Sequence, residues 1–310
     1  MTTTWHRPLL WFGAVMAALA VVCLIGIFVD PRQILGVSAW EKPFKFALSA
    51  AIYGFTWSWL IGQLQKLRRL AWWAGTVSAV LIFVEIVIIV GASAAGTTSH
   101  FNVSTPLAVT LWAIMAFSIT AVWVATFVVS ILLFRTKIGD RARSFAIRAG
   151  ALVALVGMGL AFLMTGPQGD QISNYQGVIG AHAVGLADGG PGLPVLGWST
   201  VGGDLRIPHF VGMHALQLIP LALIAIELLS RRIPRLRDGS VRVRLVAIVT
   251  VAYVLTGGVL TWQALRGQSI VHPDALTLVV AAAIAVAALA AATFALVRRT
   301  GARGTQIVAA

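Results

Sequence analysis

Apolar positions in this chain fall into long unbroken runs, without the alternation of an amphipathic strand or the polar stripe of a surface helix. Eight runs can be read, at about 8–29, 44–63, 70–94, 106–134, 149–166, 208–230, 245–265 and 275–297. Each is close to the roughly 20 residues a helix needs to cross a hydrocarbon core about 30 Å thick. The pattern predicts an all-α integral membrane bundle of about eight transmembrane helices, forming one domain over 1–310. The first run leads into Asp30-Pro31-Arg32 without a small-residue cleavage site, so it reads as a span and not as a removed signal.

Composition agrees. The 310 residues are 59% hydrophobic and 11% charged, with a mean hydropathy of +0.90, against about 25% charged in a soluble domain. A water-soluble globular domain is excluded. Cys23 is the single cysteine, which leaves no intrachain disulfide and no cysteine-based metal cluster.

The net charge of +13 would suggest nucleic acid in a soluble chain. Here 18 of the 23 Lys and Arg lie on alternate connections and at the termini, at Arg7, 66–69, 135–148, 231–244 and 298–303. The other five are Arg32, Lys42, Lys45, Arg206 and Arg266. Basic residues are retained on the cytoplasmic side of short loops, so both termini are expected in the cytoplasm of a bacterial cell. The lipid bilayer is the partner this charge implies, and nucleic acid is not. Trp5, Trp11, Trp72 and Trp73 fall near the inner boundary and Trp40 and Trp198 near the outer one, where amphipathic rings sit.

The outer side is chemically richer. Pro43, Pro106, Pro208 and Pro273 stand near the starts of the inward-running spans, where proline is tolerated because the first-turn amides lack helical partners. His100, His182, His209, His214 and His272 map to this half, with Asp170, Asp188, Asp204 and Asp274. The connection 167–207 is glycine-rich, carries Tyr175 and Trp198, and has few charges. That composition disfavours disorder and predicts a folded lid or re-entrant piece. Matching punctuation, Lys42-Pro43 with Arg206-Ile207-Pro208 and Gly96 to His100 with Gly267 to His272, suggests two parallel four-helix repeats, 1–148 and 149–310, with coincidence as the alternative.

Glu85 lies deep in the third span, and an intramembrane acid is a functional candidate by default; a protonated acid bonded to a neighbouring Ser or Thr is the structural alternative. Glu85 and Asp204 are the candidate catalytic acids. His209 and His214 are five residues apart, which sets them about 140° apart on a regular helix. His214 precedes Gln217 by one turn. His100, His209, His214 and His272 are the candidate metal ligands, for Zn²⁺ or another transition metal with an open position for water. Arg206, Asn102 and Gln217 are the candidate ligand-binding residues, Arg206 by offering a guanidinium to an anion. Asp204 could instead cap the sixth span, and Glu41, Lys42 and Lys45 could meet lipid headgroups. Glu227 is explained by an i, i+4 pair with Arg231. No Walker A, dinucleotide or nucleophile-elbow motif is present.

Trp40-Glu41-Lys42-Pro43-Phe44-Lys45-Phe46, Ser99-His100-Phe101-Asn102 and 203–217 together resemble a family of bacterial multi-pass membrane proteins with no assigned activity. The resemblance implies the membrane architecture and no reaction. The scattered outer His and Asp are also similar to membrane zinc hydrolases of the ceramidase type, whose ordered Ser, Asp and paired-His signature is not reproduced. Three functions fit the residues: a metal-dependent membrane-embedded enzyme, a proton-linked transporter or small-ligand sensor using Glu85 and His214, and a haem redox protein with two axial histidines.

Overall fold

The computed structural model describes residues 4–169 and 171–297. Asp170, Arg298, Arg299 and Arg303 lie outside the described residues. Among those described there are nine α-helices: α1 Arg7–Val29, α2 Glu41–Gln63, α3 Arg68–Ala94, α4 Pro106–Phe134, α5 Arg141–Gly159, α6 Arg206–Met213, α7 Ala215–Leu229, α8 Gly239–Leu265 and α9 Ala275–Val297. The sheet content is a single hairpin, β1 Gln33–Ile34 with β2 Val37–Ser38.

Local chemistry sets the helix starts. Thr105 Oγ1 accepts from the Ala108 amide at 3.1 Å ahead of Pro106, and Asp140 Oδ1 accepts from Arg143 N at 2.9 Å. Asp274 Oδ1 takes the Thr277 amide at 2.8 Å. These side chains occupy amides that the first turn leaves without helical partners.

Six helices are long and apolar enough to cross a membrane, or seven spans if the bent pair α6–α7 counts as one. The chain is a multi-pass membrane protein. Three of the expected spans differ from the sequence reading, the fifth because α5 already begins at Arg141 and ends at Gly159 where the run was read at about 149–166. The sixth is not one straight helix: it breaks at His214 and bends by 50°. The second, α2, has the expected place and 23 residues but is diluted by Ser, Thr, Tyr, Trp and Gln. Its position explains this. It packs between α1 and α3, and within it only Leu48 and Phe55 are exposed, so it meets protein more than lipid. At the opposite extreme, α9 touches mainly α8 and buries only Thr277 and Ala295.

Close helix crossings rest on glycine. A Cβ on Gly54 of α2 would lie 3.0 Å from the Gly13 Cα of α1, and one on Gly157 of α5 would lie 2.2 Å from the Gly212 carbonyl carbon of α6. Small residues let backbones approach where lipid supplies no hydrophobic drive between helices. The largest apolar cluster joins the two halves, bringing Leu9, Met16, Trp57, Ile86, Val122 and Leu133 together with Ile147 and Leu216.

The connections α1–α2, α3–α4, α5–α6 and α8–α9 gather at one end, here the pocket face. Arg32 Nη1 donates to Ala94 O, Val103 N to Gly177 O, and Ser269 Oγ to Ser199 O. The long connection before α6 is tied down at several of its described residues. Gln171 accepts from the Gly180 amide and donates to its carbonyl, Leu205 N donates to His182 O, and Tyr175 Oη donates to Val103 O. The other end, the basic face, holds most of the Lys and Arg.

Candidate functional site: a cationic cavity on the pocket face

Under the long connection lies a cavity of about 160 Å³, close to the 150 Å³ that accommodates benzene in an engineered core. Its charged and titratable wall is Lys42 and Lys45 from α2, Arg206 from α6, His100 from the α3–α4 connection, and His182 and Asp188 from the long connection. Trp198, Phe46 and Phe210 supply aromatic surface.

Each polar group is positioned by its own local chemistry. Lys42 and Lys45 are three residues apart and so share a helix face. Lys45 Nζ donates to Leu196 O at 2.9 Å and lies 3.9 Å from Glu41. Arg206 is held by Asp204, whose fully buried carboxylate receives Nη2 at 2.6 Å and Nε at 3.0 Å, together with the Ser199 and Arg206 amides. The Gly203 backbone lies against Ala264 of α8 so closely that a Cβ would sit 2.0 Å from that carbonyl oxygen. Asp204 is therefore the anchor of Arg206.

His182 and Asp188 form an ion-paired unit. Asp188 Oδ2 is 2.6 Å from His182 Nδ1, and Oδ1 accepts from the His182 amide at 3.0 Å. Burial pulls the His182 imidazole below its ordinary pKa, opposed by Asp188. Burial alone would raise Asp188, but its bonds to His182 leave its carboxyl below the ordinary value. His100 is enclosed by Phe46, Trp112 and Phe101 and bonded through Nδ1 to Ser99 Oγ at 3.0 Å. Burial, then the charges of Lys42 and His182, hold it well below the usual histidine range.

Of the candidate catalytic, metal and ligand-binding residues, the cavity gathers Arg206 and His100 and leaves the others out of its wall. Glu85 is buried in α3 with Oε2 unbonded, outside the wall, although its charge interacts with that of Lys42. Asn102 builds a turn, accepting from the Ser104 amide and hydroxyl and donating to Thr97 and Thr98. Gln217 of α7 donates to Thr56 Oγ1 of α2 at 3.0 Å. The four histidines expected to surround a metal do not converge. His209 Nδ1 lies 2.8 Å from the Gly157 carbonyl, His214 forms the α6–α7 break, and His272 is exposed in the α8–α9 connection. Among the described residues no group of three or more His, Cys, Asp or Glu is placed to hold a metal ion, so the zinc reading gains no ligand set.

His182, Asp188, Lys42 and Lys45 were not among the expected site residues. The lysines carried a sequence signal, their shared helix face. His182 and Asp188 were legible only as members of the outer His and Asp set, because six residues across a turn-rich segment have no period that reveals their proximity. Comparison of the chain with models of protein families, with curated proteins and with solved structures finds no match.

Proposed function

We propose that this protein binds a small anion-bearing solute in the pocket-face cavity, as a membrane sensor or proton-linked carrier. One observation carries the reading. Of the five basic residues of this face, Arg32, Lys45, Arg206 and Arg266 are paired with Asp30, Glu41, Asp204 and Asp274, whereas Lys42 lines the cavity with no hydrogen bond or ion pair among the described residues. A partly buried ammonium group with no direct partner gains from a counter-charge, and a carboxylate or phosphate of the ligand is the natural partner. Lys45 and Arg206 extend the same cationic wall. Glu85, buried and electrostatically coupled to Lys42, is the proton-accepting group of the carrier version.

The test is binding to the detergent-purified protein of acetate, succinate, inorganic phosphate and glycerol phosphate, followed by calorimetry and thermal shift. At least one of these anions binds, and Lys42→Met weakens it tenfold or more. No binding across the panel, or equal binding by Lys42→Met, overturns the reading.

A hydrolytic version is favoured by the His182–Asp188 pair. An imidazole fixed through Nδ1 by a carboxylate, its other nitrogen left unbonded in a cavity wall, is arranged as a general base for water. Ester turnover lost in His182→Asn, with anion binding retained, would select it.

For the architecture we infer eight crossings, with α2 as a protein-enclosed span, in the cytoplasmic membrane of a bacterium, the basic face inward and the cavity outward. The charge asymmetry supports this. The parallel four-helix repeat gains support from packing. In each half the first two helices cross on a glycine pair, the third packs on the first, and the fourth on the third. Lys42 and Arg206, near the starts of α2 and α6, meet in one wall.

A further inference from the structure

We infer that the groove between α4, α5 and α8 on the basic face binds one anionic phospholipid. The inference rests on the membrane assignment and not on the pocket-face ligand.

The sequence of α5 builds the site. Arg141, Phe145, Arg148 and Leu152 recur at i, i+4, i+7 and i+11, which keeps them on one helical face. Basic residues stand at the membrane end and halfway along, with apolar ones between and below. This face looks into a groove of about 680 Å³, completed by Phe134 at the end of α4, by Lys137 of the α4–α5 connection and by Val243 of α8. A helix end that faced only solvent would have no use for an exposed apolar wall, and Phe134, Phe145 and Leu152 are all exposed.

The charges have separate duties. Arg148 is structural: Nη2 donates to Thr136 O at 2.9 Å and Nε to Leu133 O at 3.4 Å, closing carbonyls at the end of α4. Its guanidinium also lies 5.7 Å from the Phe134 ring centre. Asp140, the one carboxylate among the groove's described residues, caps α5 and lies 3.5 Å from Arg242. That leaves Lys137 and Arg141, exposed and without hydrogen bond or ion pair among the described residues. Two uncommitted cations above an apolar wall match a phosphodiester with acyl chains running down Phe145 and Leu152. Basic pockets between helices at this level recognise such headgroups. Free phosphate would use the cations but gain nothing from the wall.

The full-length protein, purified in mild detergent, is incubated with phosphatidylglycerol or with phosphatidylcholine of the same chains, and retained lipid is counted by native mass spectrometry. One phosphatidylglycerol is retained, phosphatidylcholine is not, and millimolar inorganic phosphate does not displace the lipid. Lys137→Gln with Arg141→Gln lowers retention at least tenfold while the unfolding temperature stays within a few degrees. Arg231→Gln with Arg232→Gln, an equal charge loss on the same face, leaves retention intact. Equal retention of phosphatidylcholine, unchanged retention in the first double variant, an equal loss in the second, or displacement by phosphate each overturns the inference.

Discussion

At the scale of single residues, the pocket face is organised by carboxylates that each hold one cation or imidazole in place. Asp188 is the clearest case, since it takes both the ring nitrogen and the amide of His182. Asp188→Asn keeps the size but weakens both bonds and the charge, and should cost about 1–3 kcal/mol of stability, measured by thermal unfolding in detergent. The histidines set a pH dependence with a definite sign. The folded pKa values of His100 and His182 are below the ordinary 6.5, so below that pH the unfolded chain binds more protons and stability falls as pH falls. Asp188 is silent in this window, because its stabilisation is present above 3.8 and is lost only below that. Between pH 7.5 and 5 the His100 and His182 imidazoles act to lower the unfolding temperature, and His100→Phe should remove its share of that loss. A slope identical to wild type would remove His100 as its source. Little of this was legible in advance. Arg206 and His100 stood out as costly residues on an apolar chain, but their neighbours His182 and Asp188 are brought in by turns that obey no period.

At the scale of elements, the spans were legible because a lipid-facing helix must be apolar all round, and α1, α3, α4 and α9 satisfy that condition within a few residues of the runs read in the sequence. Where a helix meets protein instead, the signal weakens, as in α2, or misleads, as at the His214 break inside an apparently continuous run. Crossings are less visible still, because nothing in the sequence separates the glycines that touch another helix from those that do not. The structure does separate them. Gly157→Ala puts a methyl group into the backbone of α6 and should lose about 3 kcal/mol or more, at the upper end of overpacking costs. Gly257→Ala on α8, where a Cβ meets nothing within 4 Å, should be neutral or stabilising by up to about 1 kcal/mol through helix propensity. Comparable losses at both sites would mean that α5 and α6 do not cross at Gly157.

At the scale of the whole molecule, the two faces differ in how their charge is neutralised as well as in how much they carry. On the pocket face four of the five cations have a carboxylate partner, so that face presents little net field. On the basic face Glu227 takes Arg143 and Arg242 in place of the Arg231 partner expected one turn on, and Asp140 also pairs with Arg242, leaving a large surplus. Each basic residue near an anionic leaflet is worth about 1 kcal/mol, so the surplus favours one orientation strongly. That orientation can be read in intact cells with a membrane-impermeant maleimide after Cys23, which is fully buried, is changed to alanine. A cysteine at Ile172, 77% exposed on the pocket face, should be labelled from outside. One at Arg232, in the α7–α8 connection, should react only after permeabilisation. The reverse pattern would invert the chain and place the cationic cavity in the cytoplasm. Labelling of both from outside would mean that α6–α7, the only helices between the two sites, do not cross. The bent pair would then be re-entrant, and Arg206 would reach the cavity from a helix that enters and leaves on the same side.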